Sequence, residues 1–300
     1  MRISTFVVGG LMAAALAAPA QAQATLERIK ARGSITCGTS HGVPGYSTPD
    51  DKGVWSGFDV DWCRALAAVI FDDPTKASYR PLTSKDRLTA LQTGEIDVLP
   101  RTTTWTLSRD AGLGVNFTAV NYYDGQGFMV RRSANLKSAK QLDGATICVS
   151  QGTTNELNAA DYFRANNLKY QIVTFQETAE TIKAYESGRC DVYTTDASQL
   201  YSSRLTMAKP DEHMVLPEII SKEPLGAWVR RGDDPWFAVV RWSMYAMIGA
   251  EELGITKANL GEMLKSTNPE VRRFLGLDGR FGEQLGLSND WTQRIIRHVG

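Results

Sequence analysis

Histidine is scarce in this chain and cysteine nearly so: three and four residues, respectively, among 300. No two cysteines form C-x-x-C, and no histidine stands at metal-ligand spacing from a cysteine. Metal sites of the common patterns are thereby excluded, and neither a metal nor a cofactor is expected. Net charge is missing as well, since 33 basic residues balance 33 acidic ones. Without a basic cluster, neither nucleic acid nor an anionic membrane surface is expected as a partner. There are no low-complexity tracts, and the apolar content suffices for ordinary cores. Long apolar runs are absent but for one, Phe6 to Ala18, and it falls short of the roughly 20 residues that cross a bilayer.

That run follows Arg2, the only charge before Glu27, and precedes Pro19 and two overlapping small-x-small sites, Ala20-Gln21-Ala22 and Ala22-Gln23-Ala24. A charged start, a short apolar centre and an A-x-A end make residues 1–24 a secretory signal, with cleavage after Ala22 equally compatible. Its removal takes one of the 33 basic residues and leaves 32 against 33 acidic. In an exported protein, an even number of cysteines forms disulfides. Cys37, Cys63, Cys148 and Cys190 allow three pairings. Cys37–Cys63 with Cys148–Cys190 is favoured because it closes the shortest loops, each bridge contributing about 3–4 kcal/mol.

Strand-like and helix-like stretches alternate. Gly33 to Thr39 reads as a strand after the amphipathic Leu26–Arg32. Phe58–Phe71 has helical apolar spacing and a Pro74 stop. Ser78–Leu82 is strand-like, Ser84 or Asp86 can cap a helix ending at Gly94, and Ile96–Leu99 is the next strand. Such alternation implies an α/β fold with parallel sheets. The plan then repeats. Ala90-Leu-Gln-Thr-Gly94-Glu-Ile-Asp97-Val98 and Ala184-Tyr-Glu-Ser-Gly188-Arg-Cys-Asp191-Val192 share Ala, Gly, Asp and Val at one offset of 94 residues. Each copy is a helix stopped by glycine and followed at once by a buried strand. Alone, G-x-x-D-V is a weak motif that ordinary α/β units can share. In two matching contexts it argues for two lobes. Asn121–Arg132 and Ile219–Gly232 read as connectors between them, and the helical segment from Pro235 onward as a return to the first. The division expected is 25–125 for the first part of lobe one, 126–225 for lobe two and 226–300 for the return.

In open α/β sheets, ligands lie beyond the carboxyl ends of the strands. Five residues past each repeated aspartate stand Thr102 and Asp196. The first segment, Leu99-Pro-Arg-Thr-Thr-Thr-Trp-Thr-Leu-Ser-Arg109, is rich in hydroxyls and ends in an arginine. The second is Tyr193-Thr-Thr-Asp196. Gln151-Gly-Thr-Thr-Asn-Glu156 has capping-box spacing, so a helix begins there and its free N–H groups favour an anion. Together these suit a zwitterion. Arg109 can grip a carboxylate with its fork. Thr102, Thr104 and the backbone at Thr153 and Thr154 can complete that carboxylate's hydrogen bonds, and Asp196 can accept from an ammonium. Read singly, Arg109-Asp110 is also a surface ion pair, Asp196 a helix cap, and Trp105 a core or inter-lobe residue. Asp97 and Asp191 read as structural, and His41, His213 and His298 as surface residues.

The segments Trp55-Ser-Gly-Phe-Asp-Val-Asp-Trp-Cys63, Thr102-Thr-Thr-Trp-Thr-Leu-Ser-Arg109, Tyr122-Tyr-Asp-Gly-Gln-Gly-Phe-Met-Val-Arg131, Gln151–Leu157 and Glu186–Asp196 resemble the periplasmic solute-binding proteins of polar amino-acid ABC transporters. The likeness is greatest to the general L-amino-acid-binding subgroup, and it covers essentially residues 25–300. It implies the two-lobed periplasmic-binding-protein fold, with two hinge strands and a cleft that closes on the ligand. It also implies a free L-amino acid as ligand, permease subunits in the inner membrane as partner, a periplasmic location and a monomer. The family's carboxylate-gripping arginine matches Arg109, its lobe-one hydroxyls Thr102 and Thr104, its helix start Thr153 and Thr154, and its ammonium-binding aspartate Asp196. Ser40, in the loop after the first strand, joins these candidates. Narrow-specificity relatives carry an acid and an aromatic in that loop, here Thr39–Tyr46, and another aromatic near Ser84. Their absence implies broad specificity. Similar proteins continue past a segment like Arg294–Gly300, so a longer C-terminus is expected.

Two other classes compete. An enzyme on the same scaffold, dehydratase-like, has Asp196 as its only candidate base, without a Ser-His-Asp set or paired carboxylates. A free sensory binding protein is the other, although such modules are usually fused to a membrane span and a signalling domain.

Overall fold

In the computed structural model, residues 25–300 are described; the expected signal segment, 1–24, lies outside the described residues. The first helix, α1 (Thr25–Arg32), buries Leu26 and Ile29. After β1 (Ile35–Thr39) comes a short hairpin of β2 (Thr48–Pro49) and β3 (Trp55–Ser56). Helix α2 (Phe58–Phe71) buries Val60, Leu66 and Val69 at helical spacing and ends where Asp72 turns left-handed, just before Pro74. Then follow β4 (Ala77–Pro81), α3 (Arg87–Thr93), β5 (Leu99–Thr104), α4 (Leu107–Gly112) and the long β6 (Val115–Asp124).

The second lobe is built from β7 (Gln126–Arg131), β8 (Ala145–Ser150), α5 (Thr154–Ala165), β9 (Tyr170–Phe175), α6 (Thr178–Glu186), β10 (Val192–Asp196), α7 (Ala197–Thr206) and β11 (His213–Val215). The chain returns through β12 (Glu223–Arg230) to α8 (Asp234–Glu252), α9 (Leu260–Met263), α10 (Pro269–Phe274), α11 (Phe281–Gln284) and α12 (Trp291–His298). Trp236, Val240, Trp291 and Ile295 of the returning helices share one buried core with Ile35, Trp62 and Leu66. The second lobe has its own cores, one of them around Phe128, Ile147, Phe163 and Val192. Among the described residues no helix is long and apolar enough to cross a membrane.

The two sheets share one plan. Lobe two runs β11-β7-β10-β8-β9, with β7 antiparallel to β10. In lobe one, β4 pairs β1 in parallel, Cys37 bridges to Val98 at the edge of β5, and β12 lies antiparallel between β5 and β6. The repeated aspartates show why the sequence recurs. Asp97 Oδ2 accepts the Thr36 N–H at 2.8 Å while its own N–H donates to Thr36 O at 2.9 Å. Asp191 does the same with Thr146, at 2.8 Å each way. Gly94 and Gly188 precede them at φ 81° and 83°, a conformation open to glycine at little cost. Two disulfides join Cys37 to Cys63 and Cys148 to Cys190, one per lobe, as the loop lengths favoured.

The crossovers meet at Gly125. A Cβ there would stand 2.3 Å from Ile219 Cγ2 and 2.8 Å from Ser221 O, so only glycine lets the two connectors run this close. Three expectations need correction. The strand expected at Ile96–Leu99 runs instead from Leu99 to Thr104, because pairing with β12 carries it through a polar stretch with no apolar alternation. His213 is buried, and its Nδ1 lies 2.9 Å from the Tyr185 hydroxyl. Of the two readings of Trp105, the core one fails: it is half exposed, stacked on Phe117 with ring centroids 4.9 Å apart.

Candidate ligand-binding cleft

Strands β5 and β10 end facing each other across the gap between the lobes. Lobe one lines it with Arg87, Arg101, Thr102 and Thr104, lobe two with Thr153, Thr154, Asn155 and Asp196. The lobes are closed. Thr104 Oγ1 and Thr154 Oγ1 are 3.4 Å apart. Further contacts join His41 Nδ1 to Glu177 Oε2 and the Tyr46 hydroxyl to Ser198 Oγ, each at 2.8 Å. The space left between the lobes measures about 20 Å³, room for little more than one water.

Three arginines gather on the lobe-one side. Arg109, at the start of α4, is buried, and its Nη1 donates to Thr104 O at 2.8 Å. It turns away from Asp110, whose carboxylate instead accepts from Trp105 Nε1 at 3.0 Å; the surface-pair reading is therefore wrong. Arg87, from the first turn of α3, donates Nη1 to Thr102 O at 3.3 Å and leaves its buried Nε without a partner. Arg101, from β5, donates Nη2 to Ser84 Oγ at 3.2 Å and likewise leaves Nε unpaired. Burial lowers the pKa of all three, that of Arg101 to about 10. The neighbouring guanidiniums add to the fall for Arg87, whereas Glu223 and Asp196 oppose it for Arg109. Buried cations short of hydrogen-bond acceptors favour an incoming anion.

One acid stands opposite, on lobe two, and another lies beneath the lobe-one wall. Asp196 occupies the N-cap position of α7 but makes no side-chain cap bond. Its Oδ1 accepts from Asn155 Nδ2 at 2.8 Å and its Oδ2 from Gln199 Nε2 at 3.2 Å. Burial and the nearby Glu223 charge push it up to about 7, against the Asn155 bond. A carboxylate costly to ionise in isolation is a natural partner for an ammonium. Asp59, under Thr102, accepts that residue's N–H at 3.2 Å, and burial raises it to about 7 as well.

Thr102, Thr104, Thr153, Thr154 and Asp196 are thus brought to one cleft. Thr153 accepts from Glu156 N at 3.3 Å, while Glu156 turns to Gly152 N, so only half of the expected capping box forms. Arg109 stands behind Thr104 rather than in the lining. Ser40 lies outside the lining too, bonded at 2.7 Å to Ser47 within its own loop. Sequence reasoning passed over Arg87, Arg101, Asn155 and Glu223. Arg101 stood inside the quoted hydroxyl-rich run and Asn155 inside the Gln151–Glu156 run, but Arg87 and Glu223 carry no local pattern.

Residues 35–254 match the bacterial extracellular solute-binding proteins, family 3, and the chain belongs to that family. It is 57% identical over 293 residues to the general L-amino acid-binding periplasmic protein AapJ of Rhizobium johnstonii, covering 97% of this chain and 86% of that one. It is 54% identical to the glutamate/glutamine/aspartate/asparagine-binding protein BztA of Rhodobacter capsulatus, over all of this chain and 89% of that one. A periplasmic binding protein of Brucella ovis, solved with glutathione bound, superposes with a TM-score of 0.89 at 56% identity, covering 92% of this chain and 87% of the other.

Proposed function

We propose that this protein is the ligand-capturing component of an ABC amino-acid uptake system, working in the periplasm after its signal is removed. It takes free L-amino acids of several kinds and hands them to permease subunits in the inner membrane, acting as a monomer. Its lobes are 25–125 with 226–300, and 126–225. The observation that carries this reading is the pairing of charges across the cleft: arginines on lobe one against Asp196 on lobe two. Only a ligand with both charges satisfies both walls, so only such a ligand strengthens closure from both sides.

In this reading Arg109 receives the α-carboxylate, together with Thr102 and the N–H groups at Thr153 and Thr154, and Asp196 the α-ammonium. Arg87 and Arg101 are left for the side chain. They suit a carboxylate or carboxamide, in keeping with the relative named for glutamate, glutamine, aspartate and asparagine. Glutathione, bound by another relative, carries two carboxylates and one ammonium, which suits the same walls. Ser40 supports its loop rather than the ligand. With the relatives named as binding proteins and the cleft built of hydrogen-bonding groups, the chemistry is capture rather than turnover.

Calorimetric titration of ligand-stripped protein with glutamate, glutamine, leucine, alanine and arginine tests the proposal. Binding of several, with glutamate and glutamine the tightest, supports it. A single ligand sinks the broad specificity, and no binding by folded protein sinks the function.

A further inference from the structure

We propose that Glu223 is a positioning residue for lobe closure: its carboxylate, seated at the base of the cleft, draws the lobes together before a ligand arrives. Glu223 opens β12 and is 1% exposed. Its Oε2 accepts from Thr104 Oγ1 at 2.5 Å and Thr154 Oγ1 at 2.9 Å. Its Oε1 accepts from Asn158 Nδ2 at 2.7 Å and Ser221 Oγ at 2.6 Å. Four neutral donors thus meet one carboxylate, and they come from both lobes.

The donors divide by what moves. Strand β12 is laddered to β5 and β6, with Leu225 opposite Thr104 and Glu223 opposite Asp124. Trp105 N also donates to Pro224 O at 2.8 Å. Although it falls just inside the 126–225 lobe by number, Glu223 is therefore tied by this ladder to lobe one and travels with it, and its bonds to Thr104 and Ser221 persist however the lobes stand. Thr154 and Asn158 ride on α5 of lobe two, one turn apart. Their bonds to Glu223 form only on closure, and bonds to a carboxylate are stronger than those between neutral groups. Closure is then favoured by an internal anion, and the ligand has less of it to drive.

A second consequence follows from proton counting. A threonine hydroxyl has one proton to donate. Thr104 and Thr154 give theirs to Glu223, so both oxygens face the cleft as acceptors. They serve the ammonium side, and the donors left for a carboxylate are the arginines and backbone N–H groups.

The inference uses the closing two-lobed scaffold of the proposed function but not the identity of the ligand, so its test begins without one. Small-angle scattering is recorded on ligand-stripped mature protein, Glu223→Gln and Asn158→Ala. Asn158 touches Glu223 from outside the cleft lining, so its variant keeps the test usable if the other fails to fold. Both variants should show a larger radius of gyration than the wild type, and saturating L-glutamate should return all three to one closed value. Affinity for L-glutamate should fall about tenfold in Glu223→Gln, because the amide oxygen still accepts and only part of the charge assistance is lost. Unchanged scattering in both variants, with only a lower Tm, would overturn the proposal and leave Glu223 a structural residue. Larger radii in both variants, with no glutamate binding by the wild type, would support it while sinking the amino-acid reading.

Discussion

The two lobes use the same scaffold residues but opposite chemistry. In each, a glycine-stopped helix leads to an aspartate that locks the neighbouring strand through its N–H, and a disulfide stands close by. Where the strands end, the likeness stops. Lobe one offers arginines, lobe two Asp196 and the start of α5. What recurs in the sequence therefore marks the fold, and what differs at matched positions marks the ligand. Thr102 and Asp196 stand at equal distance from their repeat aspartates, but one is a hydroxyl over a buried acid and the other is the acid itself.

The largest effect expected of this asymmetry is at the lobe-one cations. Arg109→Ala should weaken every amino acid by at least about 100-fold, the scale of two charge-assisted hydrogen bonds lost. Arg87→Leu should weaken glutamate by about tenfold or more and alanine by less than about threefold, both read by calorimetry. Equal losses for the two ligands would place Arg87 outside the side-chain site.

The disulfides should weigh alike. The bridges span 26 and 42 residues, which loop entropy converts to about 3.5 and 4 kcal/mol. Replacing either pair by serine should lower denaturant stability by about that much, and a bridge worth under about 1 kcal/mol would contradict it.

Asp196 should act in opposite senses on stability and on binding. Burial and the nearby Glu223 charge raise its pKa in the folded protein to about 7, against the ordinary carboxylate value of 3.8. The native state therefore holds a proton that the unfolded chain gives up near pH 4. Stability from this group is present below about pH 4 and is lost as pH rises through 7. Asp196→Asn should flatten that slope and raise the stability of ligand-free protein at pH 8 by about 1–3 kcal/mol. Wild-type affinity for amino acids should rise from pH 6 to 8 as Asp196 ionises. Thermal unfolding and calorimetry across that range check both signs.

The smallest effects belong to the repeated aspartates. Asp97→Ala should cost about 2–3 kcal/mol, because Asp97 is buried and also meets Arg32, whereas exposed Asp191→Ala should cost about 1 kcal/mol. Neither should change ligand affinity more than about twofold.

What could be read from the sequence was what has a period or a repeat. Helix α2, the glycine stops, the disulfides and the hydroxyl-rich segments all fall there, and so did Thr102, Thr104, Thr153, Thr154 and Asp196. Residues whose role depends on distant partners were not legible. Glu223 meets Thr104 and Thr154 across 119 and 69 residues. Arg87 looks like any charged residue in a helix's first turn until burial leaves its Nε unpaired. The sequence of Asp196 fits a helix cap, and only its bonds to Asn155 and Gln199 show otherwise.

In the proposed mode of capture, Asp196 holds an α-ammonium while lobe one holds the carboxylates. This mode is tested most directly by titrating wild type and Asp196→Asn with L-glutamate and with glutarate, which lacks the ammonium. The wild type should lose about 100-fold or more on going to glutarate, and Asp196→Asn should bind glutarate at least as well as the wild type does. If the substitution weakens glutarate and glutamate equally, Asp196 does not read the ammonium and the assignment fails.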